Sequence, residues 1–246
     1  MIHDIWTVAR KESLEILHMR ESDRATVTSL LLTAAVLGII WPLQHGPAFI
    51  REAYSLGYWA WLPMLLVSNV IADSFAGERE RHTLESLLAT RLPDTAILLG
   101  KIAAAVLYDT AMTLVILFLS FITINVTSKA GFVMISPIVL FGALFLAAMM
   151  GTLMAGIGVL VSLRAETVRQ ARQRLSFATL GFFFAVYFGA RLIAERTGGV
   201  MSLIENIRYI SAPVVLVVVG VILAALDVGI IVLASWRFRR DRLIMA

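Results

Sequence analysis

Long apolar segments decide what this chain can fold into. Six stretches approach the ~20 apolar residues that an α-helix needs to cross the hydrocarbon core of a membrane. They lie at about 25–43, 58–76, 97–124, 136–162, 175–193 and 212–236. Charged residues are only 15% of the 246, against about a quarter in soluble domains. We therefore expect an all-α polytopic membrane protein with six transmembrane helices, built as one domain over residues 1–246.

The segment before the first apolar stretch, residues 1–22, has the pattern of an amphipathic helix. One face carries Ile2, Ile5, Trp6, Ala9, Ile16 and Leu17. The other positions include Asp4, Arg10, Lys11, Glu12, Glu15 and His18. This predicts a helix lying in the membrane interface, with Trp6 at headgroup depth. A helix packed on a protein surface is the alternative.

The basic residues divide unequally between the two sides of the predicted membrane. Those on one side are Arg10, Lys11, Arg20, Arg24, Arg79, Arg81, Arg91, Lys101, Arg164, Arg169, Arg172, Arg174, Arg237, Arg239, Arg240 and Arg242. The other side has Arg51, Lys129, Arg191, Arg196 and Arg208. Because cytoplasmic loops carry the excess of lysine and arginine, we expect a cytoplasmic (inner) membrane protein with both termini in the cytoplasm.

The longest charged interruption between two spans is the region 77–96, within DSFAGERERHTLESLLATRLPDTAILLGK. Leu84, Leu87 and Leu88 recur there at helical spacing among charged residues, which predicts a short amphipathic helix over 77–92. Pro93 should end it, and Asp94 should cap the next helix. The leucines would then pack on a soluble partner. An ordinary charged loop is the alternative.

Two further features bear on packing. Small residues recur every four positions in the fourth and fifth spans, as Ala147, Gly151 and Ala155 and as Gly181, Ala185 and Gly189. Such stripes let helices approach closely, either within one chain or in a homodimer. The segment 194–211 is too short to span and too apolar for a plain loop, so short helices on the outer side are expected there.

No pattern of catalytic chemistry is present. Gly100 and Lys101 do not form a phosphate-binding loop, because the glycine five residues earlier and the following Ser or Thr are missing. We find no catalytic, cofactor-binding or metal-ligating constellation, and we expect no nucleic-acid partner. Two acids lie inside spans, Asp109 and Asp227. Intramembrane carboxylates are costly and suggest a transport path, although each could simply bond a neighbouring hydroxyl or amide.

The pattern D-x-x-x-x-E-R-E-x-x-T-L-E-x-L-L-x-T followed by G-K resembles the permease subunit of ABC-2 type transporters. It is carried here by Asp73, Glu78, Arg79, Glu80, Thr83, Leu84, Glu85, Leu87, Leu88, Thr90, Gly100 and Lys101. The resemblance implies the ABC-2 exporter fold and a permease that is not itself an enzyme. Its partners would be membrane lipid, a second permease copy, expected as a homodimer, and two cytoplasmic ATPase subunits that hold ATP and Mg²⁺.

The same resemblance implies a coupling role for the region around Glu78–Leu88. The 163–174 loop, with Arg164 and Glu166, would supply a second contact with the ATPase. An ion-coupled secondary transporter using Asp109 and Asp227 is the alternative function. An intramembrane enzyme is a weaker rival, because no nucleophile or metal constellation is visible.

Overall fold

The computed structural model describes residues 1–22, 24–83, 86–87, 89–128, 131–197 and 211–238. These residues are helical throughout apart from short connections. The helices are α1 (Ile2–Ser22), α2 (Arg24–Ala35), α3 (Trp41–His45), α4 (Ala48–Arg51), α5 (Leu56–Glu80), α6 (Asp94–Thr127), α7 (Pro137–Ser162), α8 (Val168–Thr197) and α9 (Ala212–Arg237). A π-helical turn, Val36–Ile40, joins α2 to α3, and a 3₁₀ turn, Ala53–Ser55, precedes α5.

Four of the predicted spans lie in helices that are long and apolar enough to cross a membrane. They are Ala53–Glu80, Asp94–Thr127, Pro137–Ser162 and Ala212–Arg237. The first predicted span falls on the run from α2 to α3, and the fifth lies inside α8. Neither of these two reaches the same length and apolarity over the described residues. The all-α membrane architecture is therefore confirmed, and the count of six spans stays a prediction.

Helix α7 lies at the centre of the bundle and packs against α5, α6 and α9. Glycines on α7 permit close approach: a Cβ at Gly142 would stand 2.8 Å from Leu56, and one at Gly158 would overlap Ile71. Ile230 of α9 similarly lies against Gly156. Early residues of α5 and α9 contact early residues of α7, and late residues contact late ones. Both helices therefore run parallel to α7. If successive spans cross the membrane in alternate directions, the second, fourth and sixth spans must run parallel, and these three helices do.

The connections rich in basic residues gather at one end of the bundle. Lys101 at the start of α6 reaches Glu12 of α1 and Glu78 at the end of α5. Phe238, just after α9, packs on Phe75 at 5.0 Å between ring centroids. We call this end, formed by residues 2–16, 77–101, 163–174 and 237–238, the basic end. At the opposite end, the Ser136 amide donates to the Ile50 carbonyl at 2.9 Å.

The π-helical turn in the first predicted span has a clear cause. Pro42 has no N–H, so carbonyl groups about one turn earlier lack their usual backbone donor. Ser120 of α6 donates to the Leu37 carbonyl at 3.1 Å, and Thr123 donates to the Gly38 carbonyl at 2.8 Å. Because unsatisfied backbone groups are costly within a membrane, these hydroxyls stabilise the turn and fasten it to α6.

The N-terminal helix packs partly on protein. Val8 and Ala9 of α1 are 4% and 1% exposed and lie along the start of α6. Ile2 and Trp6, on the other hand, are 84% and 61% exposed. The predicted apolar face is therefore divided, with Ala9 buried in the protein and Trp6 free to enter a membrane interface.

Candidate functional site

The region 77–96 differs locally from its prediction. Residues 77–80 are the last turn of α5 and do not begin a separate amphipathic helix. The chain leaves the helix at Arg81 and turns at His82, whose φ is 56°. Asp94 is the first residue of α6 and follows the cap residue Pro93, so the predicted capping position is wrong by one. Leu84, Glu85 and Leu88 lie outside the described residues.

Glu78 points into the protein. It is 5% exposed, and one of its carboxylate oxygens accepts from Lys101 Nζ at 2.9 Å. The same ammonium group donates to Glu12 Oε1 and to the Ser74 carbonyl, each at 2.9 Å. Three donors of one buried cation are thus matched by acceptors from α1 and α5. Lys101 thus serves as the cationic partner of Glu78 within the chain, and the coupling role implied for the region around Glu78–Leu88 stays a prediction.

Gly100 explains how α1 comes so near to Lys101. A Cβ at Gly100 would stand 2.5 Å from Val8 Cβ and 3.1 Å from the Ile5 carbonyl oxygen. A glycine lets the two backbones approach at this point. Gly100 therefore allows α1 to approach α6, and the neighbouring Lys101 binds α1 through Glu12.

Lys101, Glu12 and Glu78 form a buried cluster of charges at the basic end. A cavity of about 30 Å³ beside it is lined by Glu12, Asp73, Glu78, Arg81 and Lys101 among others. It is far too small for an organic substrate.

On the surface nearby, burial tends to lower the pKa of Lys11, but Glu12 and Glu15 beside it outweigh burial and raise that pKa.

Arg79 and Glu80 connect α5 with the α7–α8 connection. The Arg79 guanidinium donates to the Ala165 carbonyl at 2.7 Å and to the Leu163 carbonyl at 3.1 Å. One Glu80 carboxylate oxygen accepts from the Val168 amide at 3.0 Å. Residues 79–80 and 163–168 come from the two segments that the sequence singled out separately, and these contacts hold them side by side.

The intramembrane acids are buried, and the described residues do not supply the hydrogen bonds expected for them. Asp109 is 0% exposed, and neither of its carboxylate oxygens has a partner in the described part of the chain. The Oδ1 atom of Asp227, 6% exposed, also lacks one there. A Cβ at Gly151 would stand 2.8 Å from Asp109 Oδ2, so α7 closes directly over this carboxyl group. Among the described residues, Asp109 is thus enclosed by packing and receives no hydrogen bond.

Comparison with known proteins decides the family. A family model described as ABC-2 type transporter matches residues 3–191, which is most of the chain. This chain belongs to the ABC-2 type transporter family. No curated protein matches the chain. The chain is thus a transmembrane component of an ABC-2 transporter, the non-catalytic part of such a system, and permeases of this family generally pair with ATPase subunits.

The ABC-2 family match includes both segments at the basic end. Around Arg79 and Glu80, the surface offers exposed side chains from each segment. They are Arg81, His82, Thr83, Ser86, Arg91, Arg164, Glu166 and Arg169. We call this set the docking face because we propose below that it contacts an ATPase. Leu87 is not part of it, because it is half-buried against the core.

Some residues of this ABC-2 permease that matter at the basic end were not recognisable from the sequence. Glu12 looked like one of several charged positions on an amphipathic helix, and Ser162 looked like an ordinary span residue. The structure buries both and gives them partners at least 86 residues away. Only the unusual placement of a lysine after a glycine at a span's start gave a signal.

Proposed function

We propose that the chain is the permease subunit of an ATP-driven ABC-2 exporter. It works in the cytoplasmic membrane as a homodimer, with two separate ATPase subunits on its basic end. The observation that carries the proposal is the contact of Arg79 and Glu80 with residues 163–168, which brings the described parts of the two charged segments together. ATP hydrolysis on a separate subunit can move a permease only through a contact surface of this kind, which biases the inward and outward states.

The orientation of the bundle supports a cytoplasmic partner. The segments at the basic end carry the larger share of the lysines and arginines, and such residues favour the cytoplasmic side. The docking face itself has four arginines and one glutamate among its exposed side chains. The complementary face of the ATPase should therefore be acidic, since matched potentials raise association rates and exclude wrong partners.

A second copy of the chain is supported by α8. Within the described part of the chain, no other element comes within 4 Å of the position that a Cβ would occupy at Gly181 or Gly189. The corresponding stripe of α7 is used within the chain, where Gly151 meets Asp109. The stripe on α8 is thus free to meet another helix in the membrane, as small residues commonly do.

An ion-coupled secondary transporter is the second candidate. The observation in its favour is the buried Asp109, whose carboxyl group has no hydrogen bond among the described residues. Ion carriers use such residues inside the membrane. This alternative does not account for the surface formed at the basic end.

The proposal is tested by changing the leucines of the 77–96 region. Leu84→Ser together with Leu88→Ser should release the ATPase, while the permease still inserts. Each leucine buried in the contact contributes about 1.5–3 kcal/mol, so losing two should weaken docking by at least roughly a hundredfold. Glu80→Gln is the control, because its amide oxygen can still accept from the Val168 amide. Normal ATPase binding by the leucine double variant would refute an ATPase contact through the leucines of the 77–96 region.

A further inference from the structure

Two successive charged residues at the end of α5 satisfy both ends of the connection between α7 and α8. Arg79 donates to the carbonyl groups of Leu163 and Ala165, where α7 ends. Glu80 accepts from the amide of Val168, where α8 begins. We propose that Arg79, assisted by Glu80, is a positioning residue that locks the 77–83 and 163–168 segments into one rigid body. The functional meaning of this lock depends on the proposed role of the basic end as an ATPase contact.

The charges of the two side chains fit the two helix ends. The last carbonyl groups of a helix lack backbone donors and carry partial negative charge, so a guanidinium is favourable beside Leu163. The first amides of a helix lack acceptors and carry partial positive charge, so a carboxylate is favourable beside Val168. Exchanging the two residues would place each charged group beside a helix end of the same sign of charge. This complementarity distinguishes the arrangement from an incidental surface contact.

An arginine is needed at position 79 because its two bonds diverge. The planar guanidinium presents several N–H groups in a fixed fork. Here one nitrogen reaches Ala165 at 2.7 Å and another reaches Leu163 at 3.1 Å. A lysine has a single ammonium group and does not reproduce that planar geometry. Arg79→Lys should therefore keep the charge but loosen the connection.

The helices beneath this contact are also tied closely. The Ser162 hydroxyl accepts from the amides of Phe75 and Ala76 at 3.2 and 2.9 Å and donates to the Ala72 carbonyl at 3.2 Å. Ser162 is 0% exposed. Alanines on both sides, Ala72 and Ala76 facing Ala165 and Ala171, form a small cluster that lets the backbones approach. The end of α7 is thus fixed to α5 inside the protein, and Arg79 extends the fixation to the surface.

The consequence concerns how motion enters the membrane domain. α5 and α7 run parallel and end at the same level, and their following loops are joined through Arg79 and Glu80. A displacement applied to either loop must therefore move both helices together. The distance between the two loops should stay constant through the ATP cycle, while their position relative to other helices changes.

Pulsed electron spin resonance on labelled permease tests the lock without any ATPase present. The chain has no cysteine, so Ser86→Cys and Glu166→Cys introduce the only two labelling sites, one on each loop. In lipid nanodiscs, the otherwise unchanged chain should give a single narrow distance distribution. Arg79→Gln should broaden it, and Arg79→Lys should broaden it less. An unchanged width in Arg79→Gln would overturn the proposal.

Matched variants separate this effect from general damage. Arg169→Gln removes an exposed arginine from the same surface that is not one of the two side chains joining the segments, so the distribution should stay narrow. Should Arg79→Gln fail to fold, the exposed Glu80 provides a second pair. Glu80→Ala loses the acceptor for Val168 and should broaden the distribution, whereas Glu80→Gln retains an acceptor and should not. Equal widths for that pair would likewise count against the lock.

A measurement on the assembled transporter then tests whether the two loops stay locked together during the ATP cycle. With the ATPase bound, trapping with ATP and vanadate should leave the Ser86–Glu166 distance unchanged in the chain with Arg79. In Arg79→Lys, the same trapping should shift or broaden it while the ATPase remains bound. If the unaltered permease bound no ATPase at all, the proposed function would fail, yet the distances in the isolated permease would still decide the lock. A shift on trapping in the chain with Arg79 would contradict the rigid body.

Discussion

Lys101 and Glu12 form an ion pair of 2.9 Å although 89 residues separate them in the chain. The pair fastens the N-terminal helix to the first turns of α6. Glu78 of α5 joins the same ammonium group. Three segments at the basic end are therefore held by one lysine, whose side chain is 1% exposed.

Lys101→Met should destabilise the basic end strongly. It would leave Glu12 and Glu78 buried without their cation, and breaking a buried pair in this way costs roughly 3–5 kcal/mol. We expect a lower midpoint of thermal unfolding in detergent and faster proteolysis of residues 1–22. Lys11→Gln is the control, because Lys11 is 51% exposed and surface pairs contribute little. Equal stability of the two variants would show that the cluster is not structural.

Gly100→Ala should loosen α1 without changing any charge. The new methyl group would stand 2.5 Å from Val8 Cβ, closer than carbon atoms pack, so α1 must move outward. Proteolysis of the N-terminal segment should then become faster. Gly181→Ala makes the same chemical change at a position where no other element of the described chain lies within 4 Å, and it should have no such effect. Identical protection of α1 in both variants would contradict the close approach.

The helical spans were predictable because they depend on local composition. The predicted stretch 136–162 and the observed Pro137–Ser162 differ by one residue, and 212–236 agrees with Ala212–Arg237 equally well. A continuous apolar run near the length of a membrane needs no knowledge of tertiary contacts. Most of the segment 194–211 lies outside the described residues, so its predicted outer-side helices stay a prediction.

The roles of charged residues at the basic end were less predictable. Glu78 and Glu80 share a charged stretch, and helical periodicity alone did not show which would be buried. Glu78 accepts a hydrogen bond from Lys101, and Glu80 accepts one from the start of α8. Both partners come from later helices, so only the three-dimensional packing assigns them. The same reason explains why α5 extends to Glu80: the buried ion pair stabilises a last turn that the sequence pattern assigned to a separate amphipathic helix.

Asp109→Asn should leave assembly intact and the rate of ATP hydrolysis by the assembled complex largely unchanged. The amide keeps the shape of the side chain and removes the charge from a buried position, so thermal stability should not fall. Asp227→Asn should behave in the same way. Loss of transport in either variant, while the assembled complex still hydrolyses ATP, would give these acids a direct part in the transport path and favour the ion-coupled alternative.

The orientation can be tested with single cysteines. Ser55, the obvious choice between the first two spans, is fully buried, so the exposed Glu52 is the better site. Glu52→Cys should react with a membrane-impermeant maleimide added to intact cells, and Ser86→Cys should react only after the cells are opened. Reaction of Ser86→Cys in intact cells would reverse the topology and remove the docking face from the cytoplasm.

The central claim is that the docking face contacts an ATPase, and site-specific photocrosslinking tests it most directly. A photoreactive amino acid is placed at Ser86, at Glu166, or at Glu52 on the opposite end, and each product is identified by mass spectrometry. We predict that Ser86 and Glu166 both crosslink to a subunit that carries a phosphate-binding loop and hydrolyses ATP, and that Glu52 does not. An intact complex in which Glu52 gives that adduct, while Ser86 and Glu166 give none, would contradict the account.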